Sequence, residues 1–268
     1  MDLLKFVARR SFLSEVIYFL LNVALAIGVW FLVAYFGSPL MAYGLILVSK
    51  WRVLSVRPRF WFANIQANAV DILVGLSFAT LLWLASNSVV LQTILTLLFV
   101  GWLLYLKPRS TKTAIATQAG VAQFASLTSL FSLTYSLDVA VAVLVAWIIG
   151  YSSARHILSA FEEKATVLLS FVWGFVLAEL VWVAFHWNIG YSIPLTTTDL
   201  RLPQVAIIIG LLGFLALQFY KALNIDGETD PGASKLALRS LVWPSVIVGA
   251  VCLVFLVAFN GLFDVTSL

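Results

Sequence analysis

Only one cysteine and two histidines occur in 268 residues, and only 10% of the chain is charged. A single cysteine, Cys252, excludes a disulfide within the chain and leaves no thiolate-metal pattern. The histidines, His156 and His186, fall at opposite ends of predicted membrane spans, so one chain does not offer a two-histidine haem site. No GxxxxGK[ST] or GxGxxG loop is present to cradle a nucleotide phosphate, and neither HExxH nor CxxC occurs. Every lysine lies in a connection or at a span end, so none is placed for a buried Schiff base. No cofactor and no metal is expected.

What the chain has is apolar surface. Hydrophobic residues make up 62% of it, against about 45–50% in a soluble domain. The apolar stretches are continuous, without the period of two of an outer-membrane barrel, and several reach the roughly 20 residues that cross a hydrocarbon layer about 30 Å thick. The predicted fold class is therefore all-α: a polytopic integral membrane helical bundle, residues 1–268 forming one membrane domain. Lys5, Arg9 and Arg10 precede an apolar run from Val16 to Phe36, and Ala24-Leu25-Ala26 has the composition of a signal-peptidase site. The run is longer than the about 7–15-residue core of a signal peptide, so it reads as an uncleaved first span.

About nine spans are expected, at residues 15–36, 39–56, 67–85, 89–106, 114–135, 137–154, 166–187, 204–222 and 240–263. Residues 39–56 are the weakest of these: only Pro39 to Ser49 is free of charge, and a re-entrant hairpin there would leave eight crossings. With nine, 15 of the 16 Lys and Arg fall on the side of the N-terminus, and only Arg201 falls opposite. Basic residues collect on the cytoplasmic side of membrane proteins, so the expected placement is a plasma (inner) membrane with the N-terminus in the cytoplasm and the C-terminus outside. The net charge of +4 lies in these connections and does not point to nucleic acid.

The span Thr166 to Trp187 carries Glu179 near its centre, with Val172, Phe175, Trp182 and His186 on the same helical face. A carboxyl at that depth costs at least a few kcal/mol unless protonated, paired or wet. Glu179, Trp182 and His186 are thus candidates for a transport path, or for a lock between helices. Asn64, Asn68, Asp71 and Gly75 form a second stripe, which either lines an inner vestibule or pairs Asp71 with Arg57 or Arg59. Gln118 and Gln123 mark a polar face on the fifth span, and Ala142, Ala146 and Gly150 a small-residue packing face on the sixth. The segment Lys50 to Phe62 interleaves Lys50, Arg52, Arg57 and Arg59 with aromatics, a pattern that suits anionic lipid headgroups at the inner face. The loop Asn188 to Pro203 is the one outer segment long enough for a lid. Glu162-Glu163 with His186 resembles the membrane proteases of the paired-glutamate type in three residues; the arginine expected after the pair and a second membrane histidine are absent, and no site is carried over.

These residues support three functions. One is a transporter or channel for a small solute, ion or lipid, with Glu179 as its protonatable site. The second is a non-catalytic subunit of a membrane assembly or a homo-oligomer. The third is a lipid-modifying enzyme using Arg155, His156, Glu162 and Glu163.

Overall fold

The computed structural model describes residues 2–133, 137–186, 189–192, 200–223, 240, 242–258 and 265–267. Most of the expected outer loop, the turn at residues 224–232 with Lys235 and Arg239, and the end of the ninth expected span lie outside the described residues. Eleven helices follow one another among those described: α1 (Asp2–Phe36), α2 (Leu40–Ser49), α3 (Trp51–Leu54), α4 (Trp61–Ala67), α5 (Ala69–Leu84), α6 (Val89–Gly101), α7 (Lys112–Ser132), α8 (Val139–Ala160), α9 (Thr166–His186), α10 (Gln204–Leu223) and α11 (Trp243–Ala258).

Among the described residues, five stretches are long and apolar enough to cross a membrane: Leu13–Phe36, Val89–Leu106, Val139–Ala160, Thr166–His186 and Gln204–Lys221. A sixth is formed if Pro58–Ala67 and Ala69–Leu84, bent by 63° at Asn68, act as one span. The number falls short of nine for local reasons. Helix α2 has ten residues, about 15 Å of rise. Helix α7 is 21 residues long but carries Lys112, Thr113, Thr117, Gln118, Gln123, Ser126, Thr128, Ser129 and Ser132, which make it too polar. The described apolar part of α11 is short, Trp243–Cys252.

Short as it is, α2 runs along the length of α5. Trp83 Nε1 donates to Gly37 O at 2.9 Å at one end, and the Tyr43 and Thr80 hydroxyls meet at 2.6 Å. A β-carbon on Gly75 would stand 2.8 Å from Ile46 Cγ2, so the helices touch there, and Lys50 pairs with Asp71 at the other end. Lys50 therefore lies at the same end of the bundle as Lys107, below called the basic end. The segment 51–67 turns away from α5 there, with Trp51, Phe60, Trp61 and Phe62 exposed.

The helices turn apolar side chains outward over much of their length: Phe31, Leu97, Leu144, Val172 and Val251 are all exposed. A soluble fold buries such residues, whereas lipid solvates them. The interior divides in two. Val29, Val33, Val74, Leu82 and Phe99 close the α1–α2–α5–α6 half, and Leu127, Phe131, Ile149, Leu177 and Ile209 close the α7–α8–α9–α10 half. The chain is not wholly helical. Short strands β1 (Ile189–Ser192), β2 (Arg201–Pro203) and β3 (Val265–Ser267) form an antiparallel sheet in the order β2-β1-β3, which ties the C-terminal segment to the loop after α9. The alternation that would announce these strands is only three or four residues long.

Candidate functional site

Four helix ends surround a cavity of about 480 Å³ at the basic end of the α7–α10 half. Small residues make the space: Ala116, Ala119 and Gly120 on α7, Ala154 on α8, Gly210 and Gly213 on α10. A β-carbon on Gly120 or Gly210 would meet nothing within 4 Å, and both glycines are exposed, so the cavity is open beside them. Gln123 lies at the deep end. Its Oε1 accepts from Trp173 Nε1 at 3.1 Å and its Nε2 donates to Ile209 O at 3.4 Å, so its amide is engaged at both ends. A β-carbon on Gly213 would come 3.3 Å from Gln123 Nε2, which explains the glycine at that point.

Ser153 lines the same cavity, and its hydroxyl is buried without a hydrogen-bond partner among the described residues. Helical serines and threonines ordinarily bond back to a carbonyl one turn earlier. Ser77, Thr128, Ser132 and Ser170 all do so, at 2.6–2.8 Å. Ser153, at 2% exposure, does not.

Tyr220 and Lys221 frame the mouth. The Tyr220 hydroxyl donates to Glu163 Oε2 at 2.7 Å, and Ala165 N–H donates to Oε1 at 3.1 Å. These bonds, the Tyr220 hydroxyl first, hold the Glu163 carboxyl below the usual carboxylate range. Lys112 rests over the Phe161 ring at 5.2 Å, and Phe161 meets Tyr220 edge-on at 5.7 Å.

The other candidate residues lie elsewhere. Asp71 pairs with Lys50 and, at 3.0 Å, with Lys107, and accepts from Trp102 Nε1 at 3.2 Å. Arg57 and Arg59, the partners expected for Asp71, are exposed and do not reach it. The wider turn Trp102–Leu106 that follows α6 supports the cluster: Lys107 N–H bonds to Trp102 O, five residues back. Lys50, expected at lipid headgroups, points instead to Asp71, while Arg52, Arg57 and Arg59 remain exposed. The expected stripe through Asn64, Asn68 and Asp71 is not one continuous helical face, because the helix breaks at Asn68, whose amide nitrogen bonds to Asn64 O.

Gln118 faces neither cavity nor lipid. Its Nε2 donates to Leu106 O at 2.6 Å and Arg109 O at 2.9 Å, and its Oε1 meets His156 Nε2 at 2.8 Å. An amide oxygen only accepts, so His156 carries its proton on Nε2 in this pair. Gln118 thus fastens the turn between α6 and α7 to α8.

Glu179, Trp182 and His186 share a face, as the spacing predicts, but that face is turned outward. Trp182 is 54% exposed, and Glu179 has no hydrogen-bond or ion-pair partner among the described residues. His186 Nδ1 bonds to Trp182 O at 2.8 Å. No group of three His, Cys, Asp or Glu that could hold a metal occurs among the described residues.

The cavity itself was not legible beforehand. Its signals were Ser153 in an apolar helix and the Gly210–Gly213 spacing, both ordinary by themselves. No family model, curated protein or solved structure matches this chain.

Proposed function

We propose that this chain is a membrane transporter for a small solute or lipid, and that the α7–α10 cavity is its binding site. The single observation that carries the reading is the cavity: about 480 Å³, lined mainly by small and apolar residues, with few polar groups and with Lys221 at its basic end. Its volume falls in the range of small-ligand sites, about 300–1,000 Å³. On the positive-inside argument that end faces the cytoplasm. The cavity replaces Glu179 as the centre of the transport reading.

The lone cysteine makes a direct test possible. With Cys252→Ser as background, Gly210→Cys places a thiol deep in the cavity. In sealed vesicles, a membrane-impermeant thiol reagent should modify it from either side as the protein alternates. Modification from the basic side alone would reduce the cavity to a blind pocket and sink transport.

A second reading, a subunit of a membrane assembly, is favoured by the outward Glu179 face. A carboxyl exposed to lipid at that depth is costly, and a partner helix bringing a donor would relieve it. Gentle extraction followed by mass spectrometry tests this. A stoichiometric protein partner lost in Glu179→Leu supports it; a chain that emerges alone does not.

A further inference from the structure

The cavity is graded in polarity along its length. At the deep end, Trp173 donates to Gln123, which donates to Ile209 O, so their polar groups are taken up and an occupant meets an apolar wall. Midway, the Ser153 hydroxyl is buried and has no partner. At the mouth stands Lys221, with no ion-pair partner among the described residues. Glu163 is close to the mouth, but its carboxylate already accepts from the Tyr220 hydroxyl and from Ala165 N–H. Counting 1.5 Å per residue from the helix ends, Ser153 stands about 10 Å in and Lys221 about 3 Å in. Gln123 is about 16 Å from the start of α7, roughly half the hydrocarbon thickness.

From this order we infer that the cavity takes an anionic glycerophospholipid. Lys221 binds the headgroup phosphate. One acyl chain runs past Gly120 and Gly213 to Gln123. A free polar solute would leave the deep apolar wall unmatched, and an uncharged hydrocarbon would leave Lys221 without a counter-charge. The inference rests on the transport reading above, since it names the ligand of the same cavity.

The test uses the full chain in nanodiscs containing equal amounts of phosphatidylglycerol and phosphatidylcholine with identical acyl chains. Native mass spectrometry after release counts the lipid retained. The wild type should retain phosphatidylglycerol about five-fold over phosphatidylcholine, the effect of one lysine near an anionic head. Lys221→Gln should remove the preference while still retaining both lipids. Glycerol phosphate alone should not bind, which separates a lipid head from the free anion. Gly120→Leu with Gly210→Leu adds side chains where a β-carbon meets nothing within 4 Å, and should abolish retention at an unchanged melting temperature.

An unaltered preference in Lys221→Gln overturns the assignment. So does a non-lipid solute as the species that the filled cavity loses; in that case the transport reading stands. If the filled cavity loses nothing, both readings fail.

Discussion

Gly150 lies so close to Gly174 that a β-carbon on Gly150 would stand 3.0 Å from the Gly174 α-carbon. On the other side, a β-carbon on Gly174 would come 3.1 Å from Trp147 O. Without water to drive helices together, close backbone approach supplies the packing in a membrane. Gly150→Val should force α8 and α9 apart and destabilise the protein by about 1–3 kcal/mol. Gly120→Ala, at an open position, should stay near neutral. Thermal unfolding in one detergent compares the two. Equal melting temperatures for the Gly150 variant and wild type would refute the close crossing.

Half of this crossing could be read from the sequence. The Ala142, Ala146, Gly150 stripe stands out by its spacing, and all three residues are buried. Gly174 does not stand out, because its partners are set by which face of α9 turns inward. Periodicity puts Glu179, Trp182 and His186 on one side of α9, but an evenly apolar helix carries no mark of which side meets protein and which meets lipid. In a soluble domain the polar face would have been outward without question. Asp71 illustrates the same limit. A cation partner was one of the two readings of its stripe, but α2 brings Lys50 to it from 21 residues away and the turn after α6 brings Lys107 from 36. Arg57 and Arg59, nearer in the chain, are carried off by the bend at Asn68.

Asp71 holds three elements at the basic end through Lys50, Lys107 and Trp102. Asp71→Asn would leave two ammonium groups facing each other without a counter-charge. Removing one partner of a buried pair costs about 3–5 kcal/mol, and the 14–28% side-chain exposure here places the expected loss at the lower end. Replacing Asp71 by Leu together with Lys50 and Lys107 by Met should recover most of that stability. Chemical unfolding of the single and triple variants measures the difference. A triple variant no more stable than Asp71→Asn would contradict the charge explanation.

The Glu163–Tyr220 tie should respond to acid in a defined direction. The ionised carboxylate is the form that accepts, so its pKa is lowered in the folded protein. The stabilisation is fully present above the ordinary glutamate value of about 4.3 and is lost as the pH falls through the lowered folded value. Tyr220→Phe removes the largest cause and should return Glu163 towards its ordinary value. The difference in melting temperature between wild type and Tyr220→Phe should be constant near neutral pH and shrink only below the ordinary range. A difference that grows on acidification would have the wrong sign for this bond.

Gln123 joins three helices through two side-chain bonds, accepting from Trp173 Nε1 and donating to Ile209 O. Gln123→Leu keeps the bulk and leaves the buried indole N–H and the carbonyl unpaired, at a cost of about 1–3 kcal/mol. Gln123→Leu with Trp173→Phe removes the orphaned donor as well. If the indole bond is what Gln123 provides, the double variant should lose less than the sum of the two single changes, because contacting residues are not additive. Strict additivity would mean that Gln123 stabilises through Ile209 alone. Because the pair forms the deep wall of the cavity, Gln123→Leu should also leave retention of an apolar chain intact while lowering stability. That separation distinguishes a structural amide from one that binds the ligand's polar part.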